Sequence, residues 1–311
     1  MYQQKAHMKG DFKKSTQDSL IREEKMINNQ FLHHYTTIEA LSLILKNHTI
    51  RFNRLDHVDD VLESDKFGGF NLSRYIFVSC WTNSNEENIP LWHMYSKGMT
   101  GIRISLPIDP FDYNPLKPHP LVGGEIEGQI LSFLPLEELF TQEYIVNSVC
   151  MFNKQTFIKQ VEYVDEESLK KIRRQAIKIE IDKDGKEWTT VDGPTQLAGY
   201  KSKNWEFQTE VRYIIMIYPS PPISQWTAPD SHWVENFPKF FIKSIQNDTG
   251  PNKEYFDINL SQSALDNIQI TLAPLASEYD EIILDALLKR YTKNGKFTKS
   301  SLSQSIRRPL K

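Results

Sequence analysis

The sequence predicts an α+β fold in a single domain: a central, mixed or mostly antiparallel sheet, flanked by helices and able to split in two halves around a cleft. Three observations carry this. Strand-like and helix-like segments mix without the strict alternation of a parallel α/β sheet. "YIFVSCWT" (75–82) and "TEVRYIIMIY" (209–218) are dense in aromatic and β-branched residues, as interior strands are. "SEYDEIILDALLKRY" (277–291) reads as an amphipathic helix, with Ile282, Ile283, Ala286 and Leu287 inward. The organisation expected is a polar N-terminal arm over 1–29, the domain over 30–292 and a polar, basic tail over 293–311.

In chain order, residues 31–53, "FLHHYTTIEALSLILKNHTIRFN", read as strand, helix and strand with almost no linker. Thr36 and Glu39 fit a capping box, and Ile38, Leu41, Ile44 and Leu45 share one helical face. "RLDHVDDVLESD" is an acidic turn and helical segment. "IPLWHMYSKG" gives one or two helical turns stopped by Gly98, and "TGIRISLPI" (100–108) a further strand. Residues 109–128 are rich in proline and glycine and form a connector. A helical stretch is expected over about 135–160, with "FIKQVEYVD" able to end it as a strand, followed by "ESLKKIRRQAIK" as a basic helix with a solvated charged face. Residues 219–241 are a Pro/Trp-rich excursion, read as a lid or packed surface loop, and "IQITLAP" (268–274) is a last core strand.

With 311 residues, 39% hydrophobic and 25% charged, the chain can bury a sizeable core. No apolar run approaches the roughly 20 residues that span a bilayer, so no membrane association is expected. The first thirty residues lack an apolar h-region, and two cysteines build no disulfide framework, so a cytoplasmic location is expected. A net charge of -3 argues against a broad nucleic-acid-binding face.

Four clusters carry candidate chemistry. "HHYTT" can set the imidazole of His34 beside the hydroxyl of Thr36, although Thr36 also serves as a helix cap and Tyr35 as core. If His34 faces a cleft, alternation turns His33 and Tyr35 the other way. "WTNSNEENIPLWHMY" sets Trp81, Thr82, Trp92 and Tyr95 near one another, as a cage for a planar ring or as ordinary core. "DHVDDVLES" matches no calcium loop and reads as a polar loop able to lend one carboxylate to a cleft; no metal site is expected. In "NWEFQTEVRY", Gln208, Glu210 and Arg212 alternate, so strand geometry predicts all three on one face, as an ion pair at a sheet edge or as a functional set.

The ordered set "HYTTIEALSLILKNHTIRFN", "DDVLE", "SCWT", "LWHMYSKGMTGIRIS", "VEYVD", "WEFQTEVRY" and "IQITLAP" with a closing helix resembles the bacterial domain-of-unknown-function 2971 family over about residues 31–292. The chain departs from that pattern at Asp59–Glu63, at Ala273-Pro274 and at Gln208, where the family often has Glu. The layout is also similar, at a distance, to the ADP-ribosyltransferase scheme of His-x-Thr/Ser, a hydroxyl-ended strand and Gln/Glu-x-Glu. That resemblance implies NAD as substrate. His34 and Thr36 would hold the ribose and the nicotinamide amide, while Thr82 with Trp81 or Tyr95 would shape the nicotinamide pocket. Glu210 would bond the nicotinamide ribose, Gln208 would orient an acceptor macromolecule, and Arg212 or the stretch Lys170–Arg174 would meet the pyrophosphate. It implies an NAD-dependent transferase or NAD glycohydrolase acting as a toxin or phage-defence effector. The alternative is a non-enzymatic module that senses a small ligand or docks a protein through the same cleft. That alternative gains if Glu210 is sealed in an ion pair with Arg212. A nuclease built on His57, Asp59, Asp60 and Glu63 is the weakest reading, since no basic track accompanies the acids.

Overall fold

The computed structural model describes residues 31–66, 68–117, 130–150, 157–175, 177–181, 187–191, 198–220 and 231–307. The N-terminal arm and the first part of the Pro/Trp-rich excursion (221–230) lie outside the described residues. The architecture is α+β, built on a ten-stranded sheet. Its strands are β1 (Phe31–Thr36), β2 (Thr49–Arg54), β3 (Ile76–Thr82), β4 (Ile102–Pro107), β5 (Tyr144–Asn147), β6 (Ile158–Gln160), β7 (Glu210–Pro219), β8 (Tyr255–Asn259), β9 (Gln269–Leu272) and β10 (Lys296–Lys299). The larger helices are α1 (Ile38–Asn47), α2 (Ile89–Tyr95), α3 (Glu166–Gln175), α4 (Ser231–Gln246) and α5 (Glu278–Tyr291). No helix among the described residues is long and apolar enough to cross a membrane.

The sheet runs β8-β2-β3-β1-β4-β9-β10, with β7 paired to β3 and carrying β5 and β6 on its far side. All pairs in it are antiparallel except β9 with β10. The strand β3 therefore has one continuous edge and one divided edge. Along the continuous edge β7 matches it from Glu210↔Thr82 to Met216↔Ile76. On the divided edge β1 meets it only at His33↔Thr82, while β2 meets it only at Asn53↔Val78 and Arg54↔Phe77. The two strands joined by α1 thus splay apart like a fork, and Cys80 falls in the gap between them.

The core sits on both faces of this sheet. One face joins Ile38, Leu41 and Leu45 of α1 and Leu284 and Leu288 of α5 to Phe77, Trp81, Val211, Tyr213 and Ile215. The other gathers Leu55, Tyr75, Ile76, Val78, Ile214, Met216 and Ile245. Both faces of β7 are covered, which is why its sequence runs almost unbroken in apolar residues. A third cluster packs Tyr35, Leu91, Trp92 and Met99 between α2 and β1.

Several local expectations change. Thr36 ends β1, and Thr37 caps α1 by accepting from the Ala40 N–H at 3.1 Å. Among its described residues the stretch over 135–160 is helical at Leu136–Leu139, and the β-branched "YIVN" segment pairs with β7 instead. The excursion ends in α4 over Ser231–Gln246 rather than continuing as a loop. The inward face of α5 centres on Leu284 and Leu288, leaving Ile282 63% exposed. The polar tail contributes β10, whose backbone extends the sheet beside β9 in spite of its charged side chains. Arg173, expected on a solvated face, is buried and donates to the Leu62 carbonyl.

Candidate functional site

The fork opens into a cleft of about 300 Å³, walled by β1, β2, β3, α2 and the segment around Gln208. Six of the eight predicted site residues line it: His34, Trp81, Thr82, Tyr95, Gln208 and Glu210. Thr36 and Arg212 do not. Asp59, Lys201, Cys80 and Arg51 line it as well. Asp59 supplies the single carboxylate expected of the acidic segment.

The His34 side chain occupies the space that a strand would otherwise fill. Its Nδ1 bonds the Cys80 carbonyl at 2.8 Å, and its ring lies 5.2 Å from that of Trp81. A carbonyl only accepts, so the proton sits on Nδ1 and Nε2 retains a lone pair without a partner among the described residues. Burial lowers the imidazole pKa, against the opposing effect of the Cys80 carbonyl, so the ring is neutral. The polar ends of His33 and Tyr35 bond elsewhere, although both residues also border the cleft. His33 bonds Ser105 Oγ at 2.7 Å and Asn85 Oδ1 at 3.1 Å, and the Tyr35 hydroxyl accepts from the Asn88 N–H.

Behind the cleft lies a closed charge cluster. Arg212 is fully buried and uses all five of its N–H groups. Nε donates to Glu210 Oε1 at 2.7 Å, and Nη2 to Glu210 Oε2 at 3.1 Å and Glu63 Oε2 at 2.8 Å. Nη1 donates to Glu63 Oε1 and, at 2.8 Å, to the Ala198 carbonyl. Arg212 is thus an internal counter-ion, and the expectation that it meets a pyrophosphate is corrected. The Lys170–Arg174 stretch offers no substitute, since none of it lines the cleft. Burial would raise the Glu210 carboxyl, but the charges of Arg212 and Lys201 outweigh it and hold the group well below the usual range.

Lys201 joins this cluster to the cleft wall. Its Nζ lies 2.8 Å from Gln208 Oε1, 3.1 Å from Glu210 Oε2 and 3.5 Å from Glu63 Oε2. Because the ammonium donates to the Gln208 oxygen, the Gln208 amide nitrogen points outward and donates to the Tyr95 hydroxyl at 2.8 Å. Burial, followed by the nearby Asp59 carboxylate, raises the Tyr95 phenol pKa. The bonds run from the buried ammonium through the Gln208 amide to the Tyr95 hydroxyl.

Gln208 was expected on the strand with Glu210 and Arg212. It instead ends a short 3-10 helix, Lys203–Gln208, and Thr209 makes the turn into β7 at φ 42°. A β-branched residue in the left-handed region is strained. The 2.6 Å bond between the Thr209 and Thr82 hydroxyls ties this turn to the end of β3. Burial, and then Glu210, pushes the Cys80 thiol well up, so it is a poor nucleophile. Among the described residues no group of His, Cys, Asp and Glu is placed to hold a metal ion. Lys201 carries no local sequence signal, since only tertiary burial brings it to Glu210; Asp59 was visible in the acidic run, but not its place beside Tyr95 in the cleft. No family model, curated protein or solved structure matches this chain.

Proposed function

We propose that the fork is a binding cleft for a planar heterocycle of the nucleotide class, with NAD as the first candidate, in a module that senses its ligand rather than transforms it. The observation that carries this reading is the sealing of Glu210. Both carboxylate oxygens are engaged by Arg212, one of them also by Lys201, and the residue is 4% exposed. A carboxylate neutralised by two buried cations stabilises little additional positive charge on a ribose. The rings of His34, Trp81 and Tyr95 beside a gap in the ladder suit a flat ligand that hydrogen-bonds at its edge.

The second reading is ADP-ribosyl transfer or NAD hydrolysis, as in a toxin or phage-defence effector acting on a macromolecular acceptor. It is favoured by the gathering of six residues of that scheme in one cleft. In that reaction the bond between nicotinamide and ribose breaks, nicotinamide leaves, and the acceptor or water takes the ribosyl carbon. It requires Lys201 to release Glu210. One titration separates the two readings: the protein is incubated with NAD while binding and free nicotinamide are both followed. Binding without release is the expected result. Release that is lost in Glu210→Gln establishes the transferase reading, and absence of both overturns the cleft as an NAD site.

A further inference from the structure

The polarity of the cleft selects a narrower class of ligand. Besides His33 and His34, the basic side chains Lys201, Arg51 and His57 line it, and each of these three has a partner. Lys201 is held by Gln208, Glu210 and Glu63. Arg51 makes two bonds to Asp257, at 2.9 and 3.0 Å, and lies 3.5 Å above the Tyr255 ring. The His57 Nε2 accepts from Arg54 Nη2 at 2.8 Å, so that nitrogen carries no proton to offer.

The uncommitted groups are of the opposite kind. His34 Nε2 keeps a lone pair at the half-buried end. Asp59 is exposed and lines the cleft beside Tyr95, and its carboxylate offers acceptor sites there. Trp81 and Tyr95 present aromatic rings beside them. An anion entering this cleft meets a carboxylate and an acceptor nitrogen, and its two permanent cations, Lys201 and Arg51, are already paired with carboxylates, whereas a flat cation with N–H donors meets two acceptors beside two aromatic side chains.

We infer that the cleft selects a planar, cationic heterocycle bearing N–H donors, and that Asp59 and His34 are its specificity determinants. This rests on the reading of the fork as a ligand cleft. On NAD it assigns the pyridinium end to the fork and leaves the phosphates outside it.

Isothermal titration of the full chain with three probes tests the inference: 1-methylnicotinamide, nicotinamide, which has the same shape without the charge, and ADP. The expected result is that 1-methylnicotinamide binds at least tenfold more tightly than nicotinamide, and that ADP neither binds nor competes. Asp59→Asn, a near-isosteric change at an exposed position, is expected to remove most of that preference. If nicotinamide binds as well as its methylated form, or Asp59→Asn keeps the preference, the charge selectivity is overturned while the cleft stands. ADP binding more tightly than 1-methylnicotinamide overturns it too. If none of the three binds, the cleft reading itself falls.

Discussion

Arg212 is the residue on which the local energetics turn. It supports two buried carboxylates, Glu63 from the acidic segment and Glu210 from β7, and its removal leaves both without their main counter-ion. Breaking a buried pair in this way costs about 3–5 kcal/mol. Arg212→Met is therefore expected to lower the denaturation midpoint sharply, whereas Lys289→Met, which breaks an exposed i,i+4 pair, is expected to change it little. The same cluster sets an acid limit. A carboxyl whose pKa falls on folding contributes stability that is present above its unfolded value and lost as pH falls through the folded one. For Glu210 the loss is expected between pH 4.5 and about 2, read as a falling denaturation midpoint. In Glu210→Gln that contribution is absent, so the acid dependence over this window is expected to flatten. At this scale the sequence marked Glu210 as a polar residue opening its strand and held its ion pair with Arg212 as one alternative, but the resemblance assigned Arg212 to a pyrophosphate, which its burial forbids. The alternation of Gln208, Glu210 and Arg212 cannot reveal that Glu63, more than a hundred residues away, completes the guanidinium's bonds.

Among the elements, the short ones set the geometry of the site. The strand β1 must pass close to the turn after α2, and Gly101 permits this. A Cβ there would lie 2.3 Å from the Thr36 carbonyl oxygen, a backbone atom that cannot move aside cheaply. Gly101→Ala is expected to destabilise by about 1–3 kcal/mol in chemical denaturation, through strain at the edge of the fork. The strong strands β3 and β7 were legible because burial on both faces writes an unbroken apolar run. The weaker strands over 135–160 were not, because their pairing with β7 is non-local and competes with a helical pattern that looks adequate in isolation. The inward face of α5 was misplaced by part of a turn. Isoleucine at 282 is as apolar as leucine at 284, and only packing against α1 distinguishes them.

Across the whole molecule, the cleft arises from topology rather than from a loop. A ten-stranded sheet that changes neighbours along one edge of β3 leaves a gap with rigid walls, and residues 33–35, 51–59, 78–82, 95 and 201–210 of the sequence meet there. The α+β class was legible from the mixture of patterns, whereas the sheet is one branched ten-stranded sheet rather than two halves split around a cleft. The branch itself was not legible, since strand order is set by long-range register and not by local composition. Amide hydrogen exchange of the intact chain with and without 1-methylnicotinamide tests whether the fork is the ligand site. Slowed exchange is expected only in peptides covering 31–36, 51–59 and 76–82. Exchange unchanged at the fork, or protection confined to the far end of the sheet around α5 and β10, would contradict it.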